Sequence, residues 1–154
     1  LIQDAAKRGK AWNLPFNAID PTAADDQFFY AESKGPRSLA IVRIEVSSTV
    51  AGNLEPIRAT VGTPSSGSGI DAASLSGPGG NNPAGVFETG VDLQLTEGET
   101  LGHFYLAADT PRLLEVYYVI PPGTALVFNW EVATGILSGQ ATIIELAPDQ
   151  DPVT

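Results

Sequence analysis

Few side chains in this sequence have the type and spacing that catalysis or metal binding requires. Histidine occurs once, at His103, and cysteine is absent. A Ser-His-Asp triad would need that one histidine, and no serine lies in a G-x-S-x-G motif. Metal sites usually draw on two or more such ligands, so a lone histidine on a strand is more often a surface or core residue. The sequence predicts neither a nucleophile nor a metal site.

Carboxylates are frequent, but their spacing matches no catalytic or calcium-binding pattern. Asp25 and Asp26 are adjacent, so their side chains point apart in an extended chain. Glu97 and Glu99 flank a turn glycine, where acidic residues are usually solvated. The EF-hand spacing is absent near Asp20, and no motif brings two carboxyl groups to the separation of about 5–10 Å that glycosidases need. We therefore expect a protein that is not an enzyme and that binds no cofactor.

The charge of the chain limits its partners. Eighteen acidic and eight basic residues give a net charge of −10. This charge would repel a nucleic-acid backbone, and no apolar run approaches the roughly 20 residues that span a bilayer. We therefore expect no nucleic acid and no membrane among the partners. Residues 1–10 nevertheless contain three basic residues and one acidic residue, whereas residues 113–154 contain five acidic residues and no basic one.

Alternating apolar residues predict an all-β protein. Residues 113–132 contain two runs with a period of two on either side of Pro121-Pro122-Gly123, which predicts a β-hairpin with Phe128 and Trp130 in the core. Sixteen glycines and twelve prolines separate further runs of this kind. We predict a single antiparallel β-sandwich of about eight strands, of the jelly-roll or Greek-key type. The predicted strands are 27–33, 38–48, 54–61, 86–95, 100–107, 113–120, 125–132 and 139–146.

Two strand predictions are more detailed. In the strand 38–48, the residues expected to face the core are Ala40, Val42, Ile44 and Val46. In the strand 54–61, Pro56 lacks the N–H group that a central ladder requires. We therefore expect this strand to lie at an edge or to enter the sheet only after Pro56.

The chain divides into an arm, a sandwich and a tail. Residues 1–25 are predicted to form an extended N-terminal arm, because Gly9 stops a helix early and Pro15 argues against a central strand. Residues 26–147 form the predicted sandwich, and 148–154 an exposed acidic tail. Within the sandwich, residues 62–85 are rich in Gly, Ser and Pro and predict a long loop, either functional or flexible.

The predicted arm contains the candidate partner-binding residues. Large apolar side chains outside the strand pattern either cover an open end of the sandwich or dock on another subunit. Together with the nearby basic residues, they suit a segment that clasps the shell or an adjacent subunit. These residues are Lys7, Arg8, Lys10, Trp12 and Phe16. The tyrosines Tyr105 and Tyr117 are expected to be exposed, where they would suit stacking or an interface.

Three segments resemble virion proteins of tailed bacteriophages. They are residues 44–62 (IEVSSTVAGNLEPIRATVG), 86–93 (VFETGVDL) and 119–126 (VIPPGTAL). Over about residues 26–146 the chain resembles β-sandwich capsid decoration, or cement, proteins. The resemblance implies a structural protein on the capsid surface of the virion, which binds the major capsid protein and itself as a homotrimer. Phage tail and fibre subunits carry related sandwiches, so the alternative is a receptor- or glycan-binding module.

Overall fold

The regular secondary structure of the chain is predominantly antiparallel β-strand, which confirms the all-β prediction. The structure is a computed structural model that describes residues 1–77 and 82–152. Residues 78–81 of the predicted loop and 153–154 of the predicted tail lie outside this range. The described elements are α1 (Ile2–Lys7), β1 (Ala11–Ile19), β2 (Asp26–Ser33), β3 (Leu39–Ser48), β4 (Gly52–Ala59), β5 (Ser68–Gly69), β6 (Ala73–Ser74), β7 (Gly85–Thr89), β8 (Glu97–Thr100), β9 (Phe104–Leu106), β10 (Arg112–Ile120), β11 (Ala125–Trp130) and β12 (Leu137–Glu145).

The strands form two antiparallel sheets with nested pairing. The first sheet has the order β10-β3-β12-β1-β6. The second has the order β5-β7-β2-β11-β4-β8, and β9 also pairs with β4. The first long strand therefore pairs with the last, β2 with β11, β3 with β10, and β4 with β8 and β9. Successive pairs alternate between the two sheets.

One hydrophobic core lies between the sheets. Four phenylalanines form its aromatic centre, and both sheets contribute to it. Phe16 of the first sheet contacts Phe28 edge to face at 5.4 Å between ring centroids, and Phe29 stacks on Phe128 at 4.4 Å. Trp130 is also fully buried, as the alternation in residues 125–132 predicts.

A bulge in β3 changes which side chains face this core. Ile44 and Val46 point into it as predicted. The register between β3 and β12 shifts at Val42, so the alternation reverses beyond that point. Ala40 and Val42 instead pack beneath α1 on the outer face of the first sheet. A strict period of two takes no account of a bulge, and the prediction for Ala40 and Val42 is wrong for this reason.

The predicted hairpin at Pro121-Pro122-Gly123 is wrong. Both of its strands exist, but β10 pairs with β3 and β11 pairs with β2 and β4. The turn therefore joins the two sheets instead of neighbouring strands. Each strand buries its apolar side against the common core, and period-two alternation identifies that side without identifying the partner strand.

The prediction of an extended N-terminal arm is also wrong. Residues 11–19 form β1, which pairs with β12 along its length and with β6 at Trp12 and Asn13. The Ala11 carbonyl accepts a hydrogen bond from Leu75 N at 2.9 Å, so alternate residues from Ala11 direct their backbone groups to the β6 side. β6 does not extend as far as Pro15, so no β6 carbonyl lies opposite the proline nitrogen. The missing N–H group therefore costs no ladder hydrogen bond. Only α1 precedes this strand, and it ends before Gly9 (φ +71°), where the helix was expected to stop.

Pro56 does not lie in an edge strand, because β4 has neighbours on both sides. The Pro56 carbonyl accepts from Leu101 N, so its ring nitrogen faces the same outer side. There the pairing is interrupted between Leu54, opposite β9, and Ile57, opposite β8. The sheet thus accommodates proline at a gap in one ladder.

The segment between β4 and β8 covers sheet edges and one outer face. Its short strands β6 and β5 extend the first and second sheets respectively. The strand predicted for 86–95 ends at Thr89, and the chain then crosses the second sheet with Leu93 fully buried. The strand predicted for 100–107 is split into β8 and β9, with residues 101–103 outside both.

The tail is not wholly exposed. Asp151 is buried and accepts hydrogen bonds from Ser38 N at 2.8 Å and Ser38 Oγ at 2.7 Å.

Candidate functional site

Three of the predicted partner-binding residues lie together on the surface. Lys7 and Arg8 are exposed at the end of α1, and Lys10 is half-buried just before β1. The Arg8 Nη2 donates to the Glu145 carbonyl at 3.3 Å, and the Lys10 Nζ lies 3.3 Å from Glu145 Oε2. These contacts fix the positions of both side chains while leaving them accessible to a partner.

Trp12 and Phe16 do not belong to this surface. They are 1% and 3% exposed within the core, so they are not available as contact residues in the folded chain. Burying an aromatic side chain of this size contributes about 1.5–3 kcal/mol, which favours the docked strand over an exposed arm. The spacing of Trp12, Leu14 and Phe16 at every second position was a strand signal.

Two further basic residues lie at the same end of the molecule. Lys34 and Arg37 occupy the loop between β2 and β3, next to the start of β3. We call this surface the basic end, and its residues are Lys7, Arg8, Lys10, Lys34 and Arg37. It carries five of the eight basic residues of the chain. Sequence analysis missed the last two because strand direction, which only the topology gives, brings this loop beside the start of β1.

The opposite end is acidic. Loops that follow β1 and β9 and precede β2 carry exposed Asp20, Asp109 and Asp25 there. Glu131 follows β11 at the same end. The basic end is itself of mixed charge, because Glu145 and the tail residues Asp149 and Asp151 lie there beside the basic residues.

A regular polar cluster lies at this acidic end, on the outer face of the second sheet. Asn53 Nδ2 donates to Glu131 Oε2 at 3.0 Å, and Asn129 Nδ2 donates to Glu55 Oε1 at 2.9 Å. The strands β4 and β11 are antiparallel, and Asn129 lies directly opposite Glu55. We call Asn53, Glu55, Asn129 and Glu131 the Asn–Glu tetrad. The repeated Asn-x-Glu pattern in Asn53-Leu54-Glu55 and Asn129-Trp130-Glu131 was a sequence signal for it.

His103 and Tyr105 flank the tetrad. The His103 Nδ1 lies 2.6 Å from Glu55 Oε2. Tyr105 pairs with Asn53 across β9 and β4, and its side chain is 59% exposed. Tyr117, on β10, is 46% exposed, so both tyrosines are exposed as predicted.

The tetrad is suited to binding more than to catalysis. Each Asn–Glu pair shares one hydrogen bond, and Asn129 Oδ1 is buried without a hydrogen-bond partner. No serine or threonine hydroxyl hydrogen-bonds to His103 in the described part of the chain. In residues 1–77 and 82–152, no three His, Cys, Asp or Glu side chains are grouped as a metal site would need. Over the same ranges, no helix has the length and apolar character to cross a bilayer.

Two pockets lie away from the tetrad. One, of about 460 Å³, separates the start of α1 from Val42, Arg43 and Glu115 on the first sheet. The other, of about 380 Å³, lies between Ile70 and Phe87. Neither contains His103 or the tetrad.

Comparison of the chain with protein-family models, with curated proteins and with solved structures found no match.

Proposed function

We infer that the two sheets form a β-sandwich of the jelly-roll type. Support comes from the nested pairing of β1 with β12, β2 with β11, β3 with β10, and β4 with β8 and β9, alternating between the sheets. A jelly roll is an antiparallel ribbon rolled up in this manner, and it recurs in viral capsid proteins and lectins. On this interpretation β5, β6 and β7 belong to an insertion between the fourth and fifth strands of the roll.

We propose that the protein is a non-enzymatic capsid decoration protein, which binds the outer surface of the major capsid protein shell and stabilises it. The nested pairing is the observation that carries this proposal, together with the resemblance of residues 44–62, 86–93 and 119–126 to such proteins. Self-association as a homotrimer and a position on the capsid surface are parts of the same proposal.

The basic end is the proposed docking surface. The five basic side chains of this end would attract acidic groups of a partner, whereas Asp20, Asp25 and Asp109 at the opposite end would repel them. Lys7, Arg8 and Lys10 therefore keep their proposed role, and Lys34 and Arg37 join it. Trp12 and Phe16 act indirectly, by holding β1 and hence the basic residues in place.

The test is binding to shells that lack this protein. We expect the variant Lys7→Gln/Arg8→Gln/Lys34→Gln/Arg37→Gln to bind at least tenfold more weakly than the wild type. The control variant Asp20→Asn/Asp109→Asn changes exposed charges at the acidic end and should bind normally. Undiminished binding of the four-site variant would exclude the basic end, and failure of the wild type to bind any shell would exclude decoration.

The second candidate function is a receptor- or glycan-binding module of a phage tail or fibre. The exposed ring of Tyr105 beside the Asn–Glu tetrad favours it. A virion map distinguishes the two candidates, because a decoration protein covers the shell in many copies and a tail module lies at the tail.

A further inference from the structure

Tyr105 presents an exposed aromatic ring on β9. Phe104 and Leu106, its neighbours in β9, pack into the core, so Tyr105 faces outward. The Arg112 Nη1 donates to the Tyr105 carbonyl at 2.6 Å, and the same guanidinium lies 5.9 Å from the centroid of the Phe104 ring. These contacts and the pairing with Asn53 hold the backbone of Tyr105 in place and direct its ring to the surface.

The Asn–Glu tetrad lies on one side of this ring, with Asn53 on the neighbouring strand β4 and Glu131 after β11, one strand further away. Cross-strand neighbours on one face lie about 4.5–5.5 Å apart between Cβ atoms, which places Asn53 beside Tyr105. Each amide can make about four hydrogen bonds and each carboxylate can accept about four. One bond within each Asn–Glu pair therefore leaves capacity for a ligand. His103, whose side chain is 62% exposed, adds a second ring nitrogen.

The charge around the ring selects against anions. Asp25, Glu55 and Glu131 lie on or beside this face, and Asn129 Nδ2 is 3.4 Å from Asp25 Oδ1. The nearest guanidinium, that of Arg112, is already engaged with Phe104 and the Tyr105 carbonyl. A phosphate, sulfate or carboxylate group would therefore meet three carboxylates against the guanidinium of Arg112.

A cationic peptide fits less well than an uncharged sugar. Both oxygens of Glu55 already accept hydrogen bonds or a contact from Asn129 and His103. Glu131 likewise accepts from Asn53. The face thus combines amide, imidazole and carboxylate groups beside an aromatic ring. Sugar hydroxyls, which both donate and accept, match such a mixture, and the C–H face of a pyranose matches the ring.

From this arrangement we propose a binding site for a neutral saccharide on the outer face of the second sheet. Tyr105 is the stacking residue, and Asn53, Glu131 and His103 contact the sugar hydroxyls. Glu55 and Asn129 hold His103 and the tetrad in position. The site lies at the end opposite the basic end, so it does not depend on the decoration role.

The test is calorimetric titration with maltohexaose, cellohexaose and mannohexaose, with a hyaluronan hexasaccharide and decalysine as charged probes. We expect saturable binding of at least one neutral hexasaccharide and no binding of hyaluronan. Tyr105→Ala should weaken that binding at least tenfold. Tyr117→Ala, which removes another exposed ring from the other sheet, should leave it unchanged.

Several results would overturn the site. They are binding of decalysine in place of the neutral sugars, no binding of any neutral hexasaccharide, or equal effects of the two tyrosine variants. Circular dichroism and thermal unfolding of both variants establish that they fold. Shell binding by Tyr105→Ala, measured in parallel, separates failure of this site from failure of the decoration role.

Discussion

The buried hydroxyl of Tyr30 contributes hydrogen bonds to the stability of the second sheet. Its ring is fully buried, its hydroxyl donates to Glu32 Oε1 at 2.8 Å, and Gly62 N donates to it at 3.4 Å. Burial raises the pKa of Tyr30 above its ordinary value of 10.0, and the hydrogen bond to Glu32 raises it further. Burial also raises the pKa of Tyr118.

These shifts predict loss of stability in alkaline solution. Above pH 10 the unfolded chain releases tyrosine protons that the folded chain retains, so the free energy of unfolding falls as pH rises. Tyr30→Phe should reduce this fall between pH 9 and pH 11. At pH 7 the same variant should be less stable by about 1–3 kcal/mol, because Glu32 loses a buried donor. Urea unfolding at each pH measures both effects, and equal pH dependence in the two proteins would contradict the assignment.

At the residue scale, sequence reasoning identified chemical types better than locations. It correctly placed Phe128 and Trp130 in the core and Tyr105 at the surface, because each lies in a clear alternation. It misplaced Trp12 and Phe16, because Pro15 argued against a strand. The direction of the Pro15 ring nitrogen decides that question, and it follows from the position of β6, which the local sequence does not contain.

At the scale of elements, the existence of strands was easier to predict than their partners. Long apolar runs such as β3, β11 and β12 were found nearly at their true bounds. The pairing of β10 with β3 joins residues about 70 positions apart, and no local pattern encodes it. The two-residue strands β5 and β6 carry no apolar alternation at all, since they exist only where β7 and β1 offer an edge.

Because residues 11–19 form β1, two deletions of different length at the N-terminus should have different effects on folding. Removing residues 1–8 takes away α1, which covers the outer face of the first sheet with Ile2, Ala5 and Ala6. That protein should still fold, with reduced stability. Removing residues 1–19 also takes away β1, uncovers the edge of β12 and empties the core sites of Trp12 and Phe16. We expect the longer deletion to be unfolded.

Far-ultraviolet circular dichroism and size-exclusion chromatography separate the two outcomes. A folded protein lacking residues 1–19 would show that the segment is a dispensable arm. Because the longer deletion is expected to unfold, shell binding is better tested with side-chain variants of the basic end than with truncated chains.

At the scale of the whole molecule, the direction of the strands brings five of the eight basic residues to one end, beside Glu145 and Asp151. A strand of ten residues such as β3 spans about 33 Å. This length exceeds the Debye length of about 8 Å at physiological ionic strength, so the two ends act as electrostatically separate surfaces. Composition predicted the net charge and the basic N-terminus. It could not predict that Lys34 and Arg37 join that terminus, or that β4 and β11 align their Asn-x-Glu patterns into one tetrad.

The position of the lysines makes lysine labelling a direct measure of how the molecule is oriented on a shell. All three lysines of the chain, Lys7, Lys10 and Lys34, lie at the basic end. If that end docks, acetylation of Lys7 and Lys34 should fall at least fivefold on bound protein relative to free protein. Carbodiimide labelling of Asp20 and Asp109 at the acidic end should not change. Peptide mass spectrometry reads each site separately. Protection of the aspartates with unchanged lysines would mean that the molecule docks by its acidic end, and the saccharide site would then face the shell.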